Sequence, residues 1–285
     1  MTTDFSIVIP AKNEAEGLSG LLPELRRLYP ENQILVVNDG STDDTKNVCE
    51  KNGVDVVSHD YSRGNGASIK TGARNAKGEN ILFMDADGQH NPEDISRLLE
   101  SFEAGGDMVV GARDSGSQAS VGRLIANTLY NRLSSWISGH RVLDLTSGFR
   151  LVCRKKFLQF LYLLPNGFSY PTTITMAFFR AGYSVKYLPI TARQRQGKSH
   201  INIFKDGVRF LIIIFKVGTL YSPLKIFVPT SLFFFLFGVC YYLYTFITRH
   251  AFSNMSAVLI LTSVIIFLIG LVSEQITALM YKDSE

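Results

Sequence analysis

Residues 226–248 run for 23 positions without a charged side chain, and residues 256–281 carry none except Glu274. At a rise of ~1.5 Å per residue, either stretch as a helix crosses the ~30 Å of hydrocarbon in a bilayer. A water-soluble hairpin would have no use for so many phenylalanines, of which the chain has twenty, with an apolar excess toward its C-terminal end. The two stretches are therefore expected to span a membrane (about 226–248 and 256–281), joined by a short connection over 249–255. A two-span hairpin leaves both chain ends on one side. Lys205, Arg209, Lys216, Lys225 and Lys282 flank that side against Arg249 and His250 on the other, which predicts a cytoplasmic location for both ends. Glu274 either snorkels to the interface or is functional.

Just upstream, residues 202–221 are apolar but contain Lys205, Arg209 and Lys216. At 100° per residue these cations fall within ~40° of one another. Such a basic amphipathic helix lies at an interface facing anionic head groups, the alternative being a buried core helix. Three organisational parts follow: a soluble domain over 1–200, a juxtamembrane amphipathic helix over 201–223, and a hairpin over 224–285. The net charge of +4, with no dense Lys/Arg stripe, argues against a nucleic-acid partner. Cys49, Cys153 and Cys240 are too few and scattered for a disulfide framework or zinc site. Residues 5–10 read as a first strand rather than a signal peptide.

Before residue 120 the chain alternates strands and helices. Residues 5–9 form a strand ending at Pro10-Ala11-Lys12-Asn13-Glu14, followed by a helix with Leu18, Leu21, Leu22, Leu25 and Leu28 on one face. Residues 34–37 form the second strand, ending at Asn38-Asp39-Gly40. Ser41 and Asp44 have the spacing of a capping box for the next helix, which Gly53 closes. Val54, Val56 and Val57 suggest a third strand. Arg63-Gly64-Asn65-Gly66 turns into a helix ended by Gly78, and residues 81–84 form a strand that stops at Asp85-Ala86-Asp87-Gly88-Gln89-His90. Asn91 caps and Pro92 starts a helix that presents Ile95, Leu98, Leu99 and Phe102 on one face. Met108 to Gly111 form another strand, with Arg113 just beyond. This alternation predicts a parallel, doubly wound sheet. No G-x-G-x-x-G follows the first strand, which argues against an NAD-type enzyme. Residues 121–133 form an amphipathic helix with Arg123, Asn127 and Asn131 on one face, and 144–150 read as a polar loop.

Chemistry is expected at the carboxyl ends of such strands. Glu14, Asp39 and the Asp85/Asp87 pair all fall there. Asp and Gln offer hard oxygen ligands, which suit Mg²⁺ or Mn²⁺ better than Zn²⁺. Converging acids of this kind fit a nucleotide whose diphosphate is bridged by a metal.

The segments Ile7-Val8-Ile9-Pro10-Ala11-Lys12-Asn13-Glu14, Val37-Asn38-Asp39-Gly40-Ser41, Asp85-Ala86-Asp87-Gly88-Gln89-His90-Asn91-Pro92 and Asp144-Leu145-Thr146-Ser147-Gly148-Phe149-Arg150 resemble the family 2 glycosyltransferases of the GT-A (Rossmann-like) fold. Within that family the chain is similar to the polyprenyl-phosphate branch, which includes dolichol-phosphate mannose synthase and bactoprenol glucosyltransferases. The resemblance implies that Pro10, Ala11, Glu14, Asp39 and Asp85 contact the nucleotide. It places Asp85, Asp87 and Gln89 around the metal and diphosphate. It also implies phosphate contacts for Arg113, Arg123 and an arginine of the Arg193/Arg195 pair. Two departures stand out: Asn65 replaces the usual Lys between glycines, and Ser199-His200 replaces the usual Ser-Lys.

The implied activity is that of a membrane-anchored, metal-dependent, hexosyltransferase-type enzyme. It would move a sugar from a UDP- or GDP-linked donor to a polyprenyl phosphate of undecaprenyl or dolichyl type, with inversion. Asp144 would orient the acceptor, take its residual proton, or simply cap a turn. A transferase acting on a lipid or polysaccharide hydroxyl is the rival within the class. A non-catalytic nucleotide-sugar-binding scaffold is the rival outside it. The apolar helices are also suited to homo-oligomerisation.

Overall fold

The computed structural model describes residues 3–113, 121–167, 169–191, 215–216, 218–251 and 253–281, with backbone alone for 121–127. The chain divides into two compact units, one of residues 1–135 with 140–203 and one of 136–139 with 204–285.

The first unit is built on seven strands: β1 (Phe5–Ala11), β2 (Gln33–Asn38), β3 (Asp55–Ser58), β4 (Asn80–Phe83), β5 (Met108–Arg113), β6 (Arg150–Cys153) and β7 (Val185–Ile190). Their order in the sheet is β3-β2-β1-β4-β6-β5-β7. The helices are α1 (Ala15–Leu28), α2 (Thr45–Lys51), α3 (Asn65–Asn75), α4 (Asp94–Glu103), α5 (Val121–Ser138), α6 (Arg154–Gln159) and α7 (Tyr170–Arg180). The expected doubly wound α/β sheet is therefore present, but it is mixed rather than wholly parallel. Strand β6 runs antiparallel to both neighbours, pairing Phe83 with Arg150 and Val110 with Arg150. The alternation rule misses it because its partner signal lies in residues 144–150, whose polar first half masks a strand beginning at Arg150.

Side chains alternate across the strands, so both sheet faces need cover. Ile7, Ile9, Ile34, Val36, Leu82, Val109 and Leu151 share one core with Leu18, Leu22, Leu25, Ile95 and Leu98, which is why α1 and α4 carry their apolar stripes at helical spacing. Val8 faces the other way, toward α3. A Cβ on Gly72 would lie 2.2 Å from Val8 Cγ1, so only glycine lets that helix sit so close. Phe83 packs on the same side against Phe157 at 4.9 Å between ring centres.

Two local expectations shift. Helix α2 opens at Thr45 without a side-chain cap from its N-cap residue Asp44. Ser41 is not part of a capping box, since its hydroxyl accepts the Asn13 N–H at 2.9 Å. Helix α4 begins at Asp94, after a turn in which Asn91 and Pro92 carbonyls accept the Asp94 and Ile95 N–H groups.

In the second unit, α8 (Pro223–Arg249) and α9 (Asn254–Tyr281) begin two or three residues before the expected spans, and α9 ends at the expected residue. Both are long and apolar enough to cross a membrane. Phe233, Phe237, Tyr244, Leu261, Ile265 and Leu268 are exposed on them, whereas the buried positions are small. Apart from Pro223 and Tyr281 at the outer ends, these are Ser231, Gly238 and Thr245 on α8 and Ser256, Ser263, Gly270 and Thr277 on α9. Each set recurs every seventh residue, the repeat that keeps one seam facing a partner helix. Small side chains let the backbones approach: a Cβ on Gly270 would lie 2.6 Å from Phe227 Cβ, and Ser231 Oγ donates to the Ser263 carbonyl at 2.9 Å. Glu274 accepts the Leu224 N–H at 3.5 Å, placing a carboxylate at the N-terminus of α8. Within the same unit, Lys225 Nζ donates to the Trp136 and Ile137 carbonyls. Most of the 202–221 segment, with Lys205 and Arg209, and Lys282 lie outside the described residues.

Candidate active site

Strands β2 and β3 extend from one side of β1 and β4 from the other. The sheet thus reverses direction between β1 and β4, and an open α/β sheet binds its ligands in the crevice at that point. A cleft of about 400 Å³ occupies it, lined by Pro10, Ala11, Lys12, Glu14, Asp39, Ser62, Gly64, Asn65, Ser68, Asp85, Ala86, Asp87 and Gly167. Six of the residues expected at the donor site, Pro10, Ala11, Glu14, Asp39, Asp85 and Asp87, are brought together in its wall. Lys12 is the one cation among the described lining residues, and Asn65 also lines the cleft.

The loops around this cleft are tied to each other. Asn13 adopts a left-handed backbone, with φ of 55°, and its side-chain oxygen accepts the Thr42 N–H at 2.8 Å. The first N–H groups at the start of α1 are capped from the β2–α2 loop and the first residue of α2, Ala15 N by Asp43 and Glu14 N by Thr45 Oγ1. Asp39 is buried and saturated. Its carboxylate accepts from His59 Nδ1, Ser62 Oγ, Arg63 N and Gly64 N, all at 2.7–2.9 Å. Burial alone would raise its pKa, but these hydrogen bonds outweigh that and hold it at about 2. Asp39 thus shapes the Ser62–Gly64 wall besides lining the cleft. Asp43, Thr45, His59 and Ser62 do not stand out in the sequence, because their partners are 12 to 31 residues away.

The Asp85–Asp87 turn is held by close backbone contacts. A Cβ on Gly17 of α1 would lie 2.4 Å from the Ala86 carbonyl oxygen, and one on Gly148 would lie 2.7 and 2.8 Å from the two Asp85 carboxylate oxygens. Gly148 reaches Asp85 because β6 runs antiparallel beside β4, so the residues before Arg150 meet those after Phe83. His90 is buried and stacked on Phe149 at 4.8 Å, with Nδ1 accepting the Asp85 N–H at 3.4 Å. The Gln89 N–H donates to Asp87 at 3.2 Å; Gln89 itself is outside the cleft lining.

No cluster of three His, Cys, Asp or Glu side chains suited to a metal occurs among the described residues. The donor set is two carboxylates on one turn at the cleft wall. That set fits Mg²⁺ or Mn²⁺, which bind through one or two carboxylates plus substrate phosphates and keep several waters, and it does not fit zinc.

Asp144 and Arg113 form a two-pronged ion pair, Nε to Oδ2 at 2.8 Å and Nη2 to Oδ1 at 3.1 Å. The Asp144 carboxylate also accepts from the Arg113, Thr146 and Ser147 N–H groups and the Thr146 hydroxyl. Burial would raise its pKa, but Arg113 and these donors keep it below the ordinary carboxylate range. Burial alone would lower the Arg113 pKa; Asp144, with Asp85 and Asp87 nearby, instead raises it. Arg150 is wholly buried and donates to the Pro171 and Ser147 carbonyls and to Thr175 Oγ1, which fixes the turn carrying Gly148. Arg123 lies on α5, with its side chain outside the described residues, as are Arg193 and Arg195 altogether.

Residues 6–160 match glycosyl transferase family 2, and residues 222–279 match the GtrB C-terminal hairpin. The polyprenol monophosphomannose synthase of Mycolicibacterium smegmatis is 31% identical over 206 residues, covering 67% of this chain and 77% of that protein. The undecaprenyl-phosphate mannosyltransferase of Micrococcus luteus is 30% identical, covering 66% and 83%. Among solved structures, glucosyl-3-phosphoglycerate synthase from Mycobacterium tuberculosis with Mn²⁺ and UDP-glucose superposes with a TM-score of 0.59 at 20% identity, over 74% of this chain and 79% of that one. That likeness establishes the shared GT-A fold. The chain belongs to glycosyl transferase family 2, as an enzyme of the hexosyltransferase type.

Proposed function

We propose that this enzyme transfers a hexose, with inversion, from a UDP- or GDP-linked sugar to a polyprenyl phosphate of undecaprenyl or dolichyl type at the cytoplasmic face of a membrane. The observation that carries the reading is the meeting of Pro10, Ala11, Glu14, Asp39, Asp85 and Asp87 in one cleft at the sheet reversal. The relatives named as polyprenol-phosphate sugar transferases support the acceptor class, and the M. tuberculosis complex supports a divalent ion with a nucleotide sugar. The apolar α8–α9 pair supports membrane anchoring.

In this reading the loops of residues 10–14 and 62–65 hold the nucleoside, while Asp85 and Asp87, with Gln89 beside them, hold Mg²⁺ or Mn²⁺. When bound, the ion neutralises charge that grows on the departing diphosphate. Arg113, pinned by Asp144, contributes fixed positive charge near Asp85 and Asp87. Arg123 and the Arg193/Arg195 segment receive the acceptor phosphate. A phosphate monoester has a second pKa of about 6, so the acceptor is mostly dianionic at neutral pH and needs no strong base. Asp144 suits this better than it suits a hydroxyl acceptor. A carboxylate that already takes hydrogen bonds from Arg113, Thr146 and Ser147 is a positioning residue rather than a proton acceptor. The hairpin anchors the enzyme where the lipid phosphate emerges, leaving donor binding to the first unit.

The test is transfer of radiolabelled hexose from UDP- and GDP-sugars into extractable lipid by the full-length protein in bilayers with Mn²⁺. Label is expected in a mild-acid-labile lipid that requires added polyprenyl phosphate. Label that appears only in polysaccharide or in a hydroxyl-linked lipid would refute the acceptor assignment.

A further inference from the structure

A second cleft, of about 470 Å³, opens on the first unit beside the donor cleft and shares Ser62 with it. Arg63, Lys70 and Arg74 line it, and no carboxylate does. Lys70 and Arg74 are four residues apart on α3 and therefore stand on one helix face, an arrangement of like charges that destabilises a helix unless something offsets it. Neither is in an ion pair among the described residues. Lys70 Nζ donates to the side-chain oxygen of Asn166 at 2.8 Å, a neutral partner, while Arg63 sits over the Tyr61 ring at 5.3 Å. Burial and the neighbouring Arg74 both lower the Lys70 pKa, as expected where cations converge without an anion.

The wall between the two clefts is built rather than incidental. The Asn166 and Gly167 carbonyls accept the Ala67 and Gly66 N–H groups at the start of α3, at 2.9 and 3.1 Å. A Cβ on Gly66 would lie 2.0 Å from the Pro165 carbonyl oxygen, so the 165–167 loop is seated directly on that helix. Gly167 faces the donor cleft and Asn166 the cationic one. The acids of the donor site therefore do not neutralise Lys70 or Arg74: Asp39 accepts from the Arg63 and Gly64 backbone N–H groups, and Asp85 and Asp87 lie in the neighbouring cleft.

We propose that this cleft, formed by Arg63, Lys70 and Arg74, is a second anion site that binds a phosphate-bearing ligand separately from the sugar donor. Three cations around a concave space recognise phosphate oxygens through charge-assisted hydrogen bonds, and an arginine adds paired geometry. The same chemistry is carried by a soluble phosphate compound and by an anionic lipid head group.

The experiment titrates inorganic diphosphate into full-length protein in phosphatidylcholine nanodiscs with EDTA present, read by calorimetry. Without a divalent ion, repulsion from Asp85 and Asp87 weakens diphosphate binding in the donor cleft, and the Lys70 and Arg74 variants report the second cleft. Saturable binding is expected for the wild type. Lys70→Gln/Arg74→Gln should weaken it at least about ten-fold, with each single change weakening it less, and with the melting temperature unchanged. Nanodiscs containing phosphatidylglycerol then separate the sources. A loss of diphosphate affinity in these discs, for wild type but not for the double variant, assigns the site to a lipid head group; unchanged affinity assigns it to a soluble phosphate. Absence of saturable binding by the wild type, or equal binding by the double variant, overturns the proposal.

Discussion

Gly148→Ala adds a single methyl group, and the structure says where it must go. The new carbon would lie 2.7 and 2.8 Å from the Asp85 oxygens and 3.1 Å from Cγ. Non-bonded contacts of this kind settle near 3.5 Å, so one side must retreat by roughly 0.5–0.8 Å. The backbone at Gly148 cannot easily give way, because the buried Arg150 holds the Ser147 carbonyl and β6 is paired on both sides. The Asp85 side chain is 40% exposed, so it is the group that moves. A group that positions a metal and diphosphate must be held within about 0.5 Å, and a displacement of about 1 Å costs on the order of 100-fold. The expected loss in kcat/KM is therefore roughly 10- to 100-fold, or about 1.4–2.7 kcal/mol of transition-state stabilisation. The Mn²⁺ concentration for half-maximal rate should rise with it. Stability should barely change, with a Tm shift within about 2 °C, since a half-exposed carboxylate moves without opening the core. Gly20→Ala supplies the control. It makes the same chemical change in α1 with nothing within 4 Å of the new carbon, and should leave turnover intact while stabilising the helix by about 0.5–1 kcal/mol. The assay is initial-rate transfer to polyprenyl phosphate across a Mn²⁺ series, with thermal melts on the same samples. Wild-type kcat/KM and Mn²⁺ dependence for Gly148→Ala would refute the claim that this close approach sets the position of Asp85.

Asp87→Asn keeps the shape of the turn and removes one charge from the proposed metal site; transfer should fall by several powers of ten, with expression and membrane insertion retained, and near-normal turnover at saturating Mn²⁺ would contradict the assignment. Asp39 has a folded pKa of about 2 against an ordinary value of about 3.9. Its stabilisation is therefore complete above the ordinary value and lost as pH falls toward 2. Asp39→Asn should melt lower than wild type at pH 7 and show a flatter decline between pH 5 and pH 3, and parallel decline of the two proteins would count against it. Gly270→Leu puts a large side chain where even a Cβ meets Phe227 at 2.6 Å. It should loosen the α8–α9 pair and raise the exchange or protease sensitivity of residues 249–255 while nucleotide binding to the first unit persists; loss of both together would show that the hairpin is required for donor binding.

Strands β1–β5, the helices between them, the two long apolar helices and the acids at strand ends were legible in the sequence because each depends on local periodicity, whereas β6, β7, α6 and α7 were not. An apolar run stopping at Asp85-Ala86-Asp87 identifies a strand end whatever surrounds it, and 23 uncharged residues exceed a bilayer whatever they pack against. Hydropathy averaged over a span overlooks a small residue at every seventh position, so the seam of Ser256, Ser263, Gly270 and Thr277 emerged only when α8 was seen against α9. The remaining features belong to pairs far apart in the chain. The insertion of β6 between β4 and β5, antiparallel to both, is what places Gly148 on Asp85, 63 positions earlier. The same tertiary arrangement sets Asp144 on Arg113, 31 residues away, and turns a carboxylate that reads equally as base or cap into the anchor of an arginine. A single sequence encodes such contacts only through the register of the whole sheet. Register is decided when every buried strand face finds its cover at once, which is a property of the packed fold and not of any window of residues.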